Sequence, residues 1–156
     1  GSDSDLPAMK EVAAALKLFS VEYELHIASA HRTPTKVAKL ASEARSKGFG
    51  VVVAGAGLAA HLAGAVAAHT TLPVIAVPLA AGALNGVDAL LSVVQMPKGI
   101  PVATVAIGPT GGFNAGLLAA SILSIYAPAL AAQLDHYRRE LAEKVEEKDA
   151  ALQRRE

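Results

Sequence analysis

His31 and Arg32 stand side by side in IASAHRTPTK, residues 27–36, just ahead of a helix start. An imidazole exchanges protons near neutral pH, and a guanidinium offers a planar fork of donors for phosphate or carboxylate. Side by side they suit a site that grips an anion and moves a proton. Thr33-Pro34 marks the helix start, with Thr placed to cap the first free N–H groups and Pro at the first helical position. VEYELHIA, residues 21–28, reads as a strand. The pair therefore falls on a loop between a strand end and a helix start.

Other stretches can serve the same chemistry. GSDSDLP, residues 1–7, places Ser2, Ser4 and Asp5 before a helix whose N-terminal N–H groups and dipole attract an anion. Hydroxyls donate to phosphate and a carboxylate suits sugar hydroxyls, while Ser4 or Asp5 is equally suited to capping that helix. AGAGLAAHLAG, residues 54–64, follows a strand. Gly55, Ala56 and Gly57 read there as a loop that lets the backbone approach a ligand, with His61 in the first turn of the next helix. His69 falls at the far end of that helix, where a cation suits the dipole, and His26 and His136 have no supporting context. Asn85-Gly86 marks a turn, and Asp88 after it can cap a helix or hold a partner. No nucleophile–base pair, paired carboxylate or metal-ligand spacing is present.

These residues need a scaffold, and the chain has one rhythm: apolar strand, small-residue loop, helix. Helices are predicted over Leu6–Phe19, Pro34–Lys47 with Gly48 as its stop, 58–69, within 86–97, over Asn114–Ser124 and from Pro128. The last carries Leu130, Leu134, Tyr137, Leu141 and Val145 on one stripe, and beyond Glu146 it is expected to fray into a charged tail, residues 146–156. Strands are predicted over Tyr23–Ala28, 50–54, 73–77 and 101–108. Continuous apolar strands between helices imply an α/β domain, residues 1–145, with a parallel sheet covered on both faces. In such a sheet ligands bind where the C-terminal strand ends meet the following loops.

Charge narrows the function classes. Lys, Arg, Asp and Glu number 15 in residues 1–134 and 13 in residues 135–156, and between Gly48 and Leu134 only Asp88 and Lys98 are charged. A monomer so poor in charge would dissolve badly, so much of this surface is expected against other copies of the chain. Gly, Pro and His interrupt every apolar run before the roughly 20 residues a membrane span needs. Zero net charge and few aromatics leave no nucleic-acid footprint, and the absence of cysteine excludes thiolate metal sites and disulfides. No signal peptide is read before the first helix, so a cytoplasmic location is expected. Residue types alone thus point to an oligomeric α/β protein that binds a small phosphorylated ligand and carries a proton-moving histidine.

The motifs GSDSD, SAHRTP, GAG-AAHL-G, TLPVI-VP, AL-G-D-LLS-VQMP-G-PV-T-AIG and NA-LLAA-IL resemble, in order and spacing, the bacterial PurE family. That family is the 5-(carboxyamino)imidazole ribonucleotide mutases of purine biosynthesis. The resemblance runs from Gly1 to about Tyr137, and AAHL with VQMP resembles the mutase branch, not the branch that carboxylates aminoimidazole ribonucleotide with CO2. It implies a flavodoxin-like three-layer α-β-α sandwich with a C-terminal helix, assembled as a homo-octamer. It implies transfer of a carboxylate from the exocyclic nitrogen to ring carbon C4, giving the C4-carboxylated product, without metal, ATP, biotin or any other cofactor. By position, Ser2 and Asp5 match ligand-binding positions of the first loop, and Ser29 and Arg32 match phosphate-side and ribose-side binders. His31 matches the proton-transferring histidine and His61 a second active-site histidine. Gly55, Ala56, Gly57 and Ala60 match the lining of the base and CO2 pocket, and ALNG and QMP look like segments that complete a neighbouring subunit's pocket.

The sequence departs from its relatives in three places. Leu58 stands where many have Gly and Ala63 where many have Pro, and Phe113 replaces a small or basic residue. Relatives also carry a hydrophobic strand immediately before GSDSD, in the middle of the sheet. This sequence starts at Gly1, so residues ahead of Gly1 are expected in the natural chain. Two other readings share the scaffold: a carboxylase using free CO2, and a non-catalytic nucleotide-binding or assembly protein.

Overall fold

The computed structural model describes residues 1–154. Its centre is β2 (Val74–Leu79), paired in parallel with β1 (Val52–Gly57) on one side and β3 (Ala103–Thr104) on the other. Every residue of β2 is buried. Successive side chains of a strand point to opposite faces, so this run must be covered twice. Val74 and Ala76 pack with Val37 and Ala41 of α2 (Pro34–Ala44), Ala63 and Val66 of α3 (Leu62–Ala67), and Ala89 and Val93 of α4 (Val87–Val94). Ile75, Val77 and Leu79 pack with Val12 and Leu16 of α1 (Leu6–Leu18) and Ala115 and Ala119 of α5 (Pro109–Ser124). The result is the predicted three-layer, flavodoxin-like sandwich. No described helix is long and apolar enough to cross a membrane.

Boundaries differ from expectation in instructive ways. β1 runs to Gly57, so the Gly55–Gly57 stretch read as a loop is the end of a strand. α3 starts at Leu62, leaving His61 at its N-cap position rather than inside the first turn. β3 pairs only at Ala103 and Thr104, although the Val105 and Gly108 N–H groups still donate to Ala76 and Pro78. α5 begins at Pro109, five residues before Asn114. Glycines 111 and 112 hid this start by their low helix propensity. α6 (Pro128–Gln153) buries no residue; it packs on α5 and meets Phe19, the residue that ends α1, in an edge-to-face contact with Tyr137, ring centroids 5.7 Å apart. It stays helical past Glu146 to Gln153. Ala, Glu, Lys and Gln favour helix intrinsically. The expected tail's last two residues, 155 and 156, lie outside the described residues.

One predicted strand is not formed. Tyr23–Ala28 belongs to no ladder. A cavity of about 190 Å³ lies beside it, lined by Leu25, Ile27, Val51 and Val53 among others. A second, of about 210 Å³, continues along Val21, Leu25, Val51, Val53 and Leu123. Strand assignment needs a hydrogen-bonded neighbour, and this apolar trough separates the segment from β1.

α1 and α5 approach closely because α5 presents glycines. A Cβ on Gly116 would lie 2.6 Å from Ala15 Cβ and 2.7 Å from the Val12 carbonyl oxygen, and one on Gly112 would run into the Ala8 carbonyl. Replacing Gly116 by Ala adds about 1 kcal/mol of helix propensity but forces two helices apart. Overpacking of this kind costs about 1–3 kcal/mol and wins where backbone is the obstacle. Gly116→Ala is therefore expected to lower the urea midpoint of unfolding, and a raised midpoint would contradict this packing.

Candidate active site

The 29–33 loop is tied by its own side chains. The Ser29 N–H donates to Thr33 Oγ1 at 2.8 Å, and the Thr33 hydroxyl donates back to the Ser29 carbonyl at 3.2 Å. Thr33 occupies the N-cap position of α2, but its hydroxyl serves Ser29 instead of the helix, contrary to the capping role expected for it. The Arg32 N–H donates to Ser29 Oγ at 3.2 Å. These bonds hold the backbone of His31 and Arg32 between two fixed points.

From that loop Arg32 reaches the first loop, donating from Nη2 to the Gly1 carbonyl at 3.0 Å. Gly1 N donates in turn to the Gly55 carbonyl at 3.0 Å, and Ser2 N donates to Asp5 Oδ2 at 2.9 Å. The Ser2 hydroxyl donates to Asp3 Oδ1 at 2.9 Å and holds that carboxyl below the usual carboxylate range. Ser2, Asp5, Ser29, Arg32 and Gly55 thus share one connected corner beside β1. A phosphate there would meet the Arg32 guanidinium and, after rotation away from Asp3, the Ser2 hydroxyl.

The two histidines meet. His31 Nε2 lies 2.7 Å from His61 Nδ1, with ring centroids 4.9 Å apart and planes at 75°. A hydrogen bond between facing imidazole nitrogens needs a hydrogen on one of them and a lone pair on the other. The pair therefore couples the two rings' tautomers, since one facing nitrogen must donate and the other accept, and hydrogens on both facing nitrogens would break it. Both rings are exposed, so a ligand can reach them.

The remaining expected site residues are placed less directly. A Cβ on Gly55 would run into Met9, and one on Gly57 would lie 3.1 Å from Ala81 Cβ and 3.2 Å from the Leu79 carbonyl. At both glycines the missing side chain makes room for protein. Ala56 is half-buried, and Ala60 is 1% exposed, sealed into the core with Ala63 and Val66. His26 pairs with Glu24 at 2.9 Å, and both line the cavity that Gly1, Ser2, Asp5 and Gly55 also line, while His136 pairs with Glu140 at 3.2 Å on α6. Two features escaped sequence reasoning: the reciprocal hydrogen bonds between Thr33 and Ser29, and the approach of Ala81 to Gly57. Neither has a residue-type signature beyond a common loop composition.

In the His31–His61 pair, a test needs no substrate. His61→Phe keeps a ring but removes the facing nitrogen. It is expected to uncouple the His31 tautomer from its partner and so change its ring-nitrogen shifts, read by NMR. Unchanged His31 shifts would mean the pair does not form in solution.

Comparison with known proteins gives a consistent picture. The model of the family described as AIR carboxylase matches residues 1–144. A Pyrococcus horikoshii protein named N5-carboxyaminoimidazole ribonucleotide mutase is 54% identical over 98% of this chain and 85% of its own length. A Thermotoga maritima protein of the same name is 51% identical over 98% of this chain and 88% of its own. The crystal structure of Treponema denticola PurE superposes with a TM-score of 0.88 at 33% identity, covering 97% of this chain and 94% of that one.

Proposed function

The chain belongs to the AIR carboxylase family, and from that premise we propose that it is an N5-carboxyaminoimidazole ribonucleotide mutase of purine biosynthesis. The observation that carries the proposal to particular atoms is the His31–His61 contact beside the Arg32–Gly1–Gly55 corner. Arg32, Ser2 and Ser29 hold the phosphate and Asp5 a ribose hydroxyl, which positions the imidazole ring. His31 gives a proton to the exocyclic nitrogen as its bond to the carboxylate carbon breaks and CO2 is released. The pair of electrons from that bond stays with the aminoimidazole. C4 then attacks the confined CO2, forming the new carbon–carbon bond, and His31 takes the C4 proton. The histidine ends as it began, and the carboxylate has moved. His61 holds the His31 ring through their hydrogen bond. Half-buried Ala56 and the Gly55 and Gly57 backbone around it wall the small pocket that keeps CO2 from escaping, and Ala60, sealed into the core, backs that wall.

Turnover of fresh 5-(carboxyamino)imidazole ribonucleotide should be lost by about 10²–10⁴-fold in folded His31→Asn, the range of a general acid–base contribution. Aminoimidazole ribonucleotide with CO2 is the parallel substrate. Full activity of the variant would remove the proton role, and preference for free CO2 would make the protein a carboxylase.

Assembly belongs to the same proposal. Val87, Leu91 and Val94 form an exposed apolar stripe along α4, and Tyr126 is 93% exposed at the α5–α6 corner. Such faces are covered when copies pack together, and a homo-octamer in the cytoplasm is the arrangement proposed. Leu91→Glu is expected to lower the mass measured by light scattering, and an unaltered mass would place the contact elsewhere.

A further inference from the structure

Leu58 is a leucine in a glycine's conformation. Its φ is +55°, in the left-handed region where a side chain crowds its own backbone. Its side chain is 52% exposed, so core packing does not hold it there. What it meets is the loop after β2. A Cβ on Gly82 would lie 2.7 Å from Leu58 Cδ2, so the leucine methyl rests against the bare Cα of Gly82. Gly82 itself has φ +63°.

Within a single copy of the chain, that loop, residues 80–86, has little else to hold it. Residues 80–85 are all exposed, and among the described residues none of 80–86 makes a side-chain hydrogen bond. Its base is fixed at Gly86, where a Cβ would lie 2.6 Å from Ile107 Cγ2 and 3.1 Å from Ala80 Cα. Its middle meets the body of the protein at two adjacent points: Ala81 against Gly57, and Gly82 against Leu58. Leu58 follows Gly57 at the end of β1 and precedes His61 by three residues.

We propose that Leu58 is a positioning residue that pins the 80–86 loop against the end of β1, so that Ala81 walls the ribonucleotide pocket at Gly57. The inference rests on the mutase reading for the identity of the ligand. Leu58 touches no reacting atom, and its effect falls on binding and not on the proton transfer at His31. A strained backbone persists only where its surroundings enforce it, and here the enforcing contact is the one that shapes the site.

Leu58→Gly removes the contact and relaxes the backbone, so global stability is expected to hold or rise. Amide exchange across residues 80–86 should quicken by about tenfold or more, as for a segment released to open locally. The dissociation constant for aminoimidazole ribonucleotide, measured by calorimetry, should rise about fivefold while kcat changes by less than about twofold, the pattern of lost ground-state binding. Leu58→Met, with a side chain long enough to reach Gly82, should restore both values. Unchanged exchange in Leu58→Gly would overturn the proposal, as would faster exchange with unchanged affinity. A parent protein that neither binds nor turns over the ribonucleotides would instead defeat the mutase reading.

Discussion

β2 contains no residue that faces water, and most of the molecule follows from that. Its alternating side chains need an apolar layer on each face. The chain supplies α2, α3 and α4 for one and α1 and α5 for the other. Parallel strands joined through helices bring every strand-to-helix loop to one edge. β1 ends there at Gly57 and β2 at Leu79. A site on that edge is assembled from segments far apart in sequence, and its precision depends on how closely the layers can approach.

Close approach is achieved with small side chains. The core contains many alanines, and the glycines of α5 allow backbone-to-helix contact with α1. The same device serves β1, where Gly55 accommodates Met9 and Gly57 accommodates Ala81. A glycine-rich strand end in this protein is first a packing solution. The site gains from it because the thin layer leaves room for the first loop to reach the Gly55 carbonyl through Gly1.

The chemistry is concentrated in a few polar bonds on an otherwise apolar frame. The Ser29–Thr33 bonds fix a loop, Arg32 couples it to Gly1, and His61 orients His31. None of these groups is deeply buried, and water screens each of them in the isolated chain. Their strength therefore depends on what covers them. Any group that covers them and excludes water would strengthen the same set of contacts.

Composition and periodicity by themselves determined the layer architecture, because a fully apolar run between amphipathic helices has one economical burial scheme. Local motifs marked which loops are candidates: an imidazole beside a guanidinium ahead of Thr33-Pro34 reads from residue types, and the small-residue stretch at 54–64 offered His61 beside it. What no local pattern contained is distance. His31 and His61 are thirty residues apart and meet at 2.7 Å only because α2 and α3 cover the same sheet face. The strand periodicity of Tyr23–Ala28 likewise says nothing of a partner, and among the described residues the segment joins no ladder. Glycine misled twice, at Gly57 and at Gly111–Gly112, because its loop preference is a property of one residue. Its use in a strand end and a helix start was decided by the neighbours that fill the space a side chain would have taken.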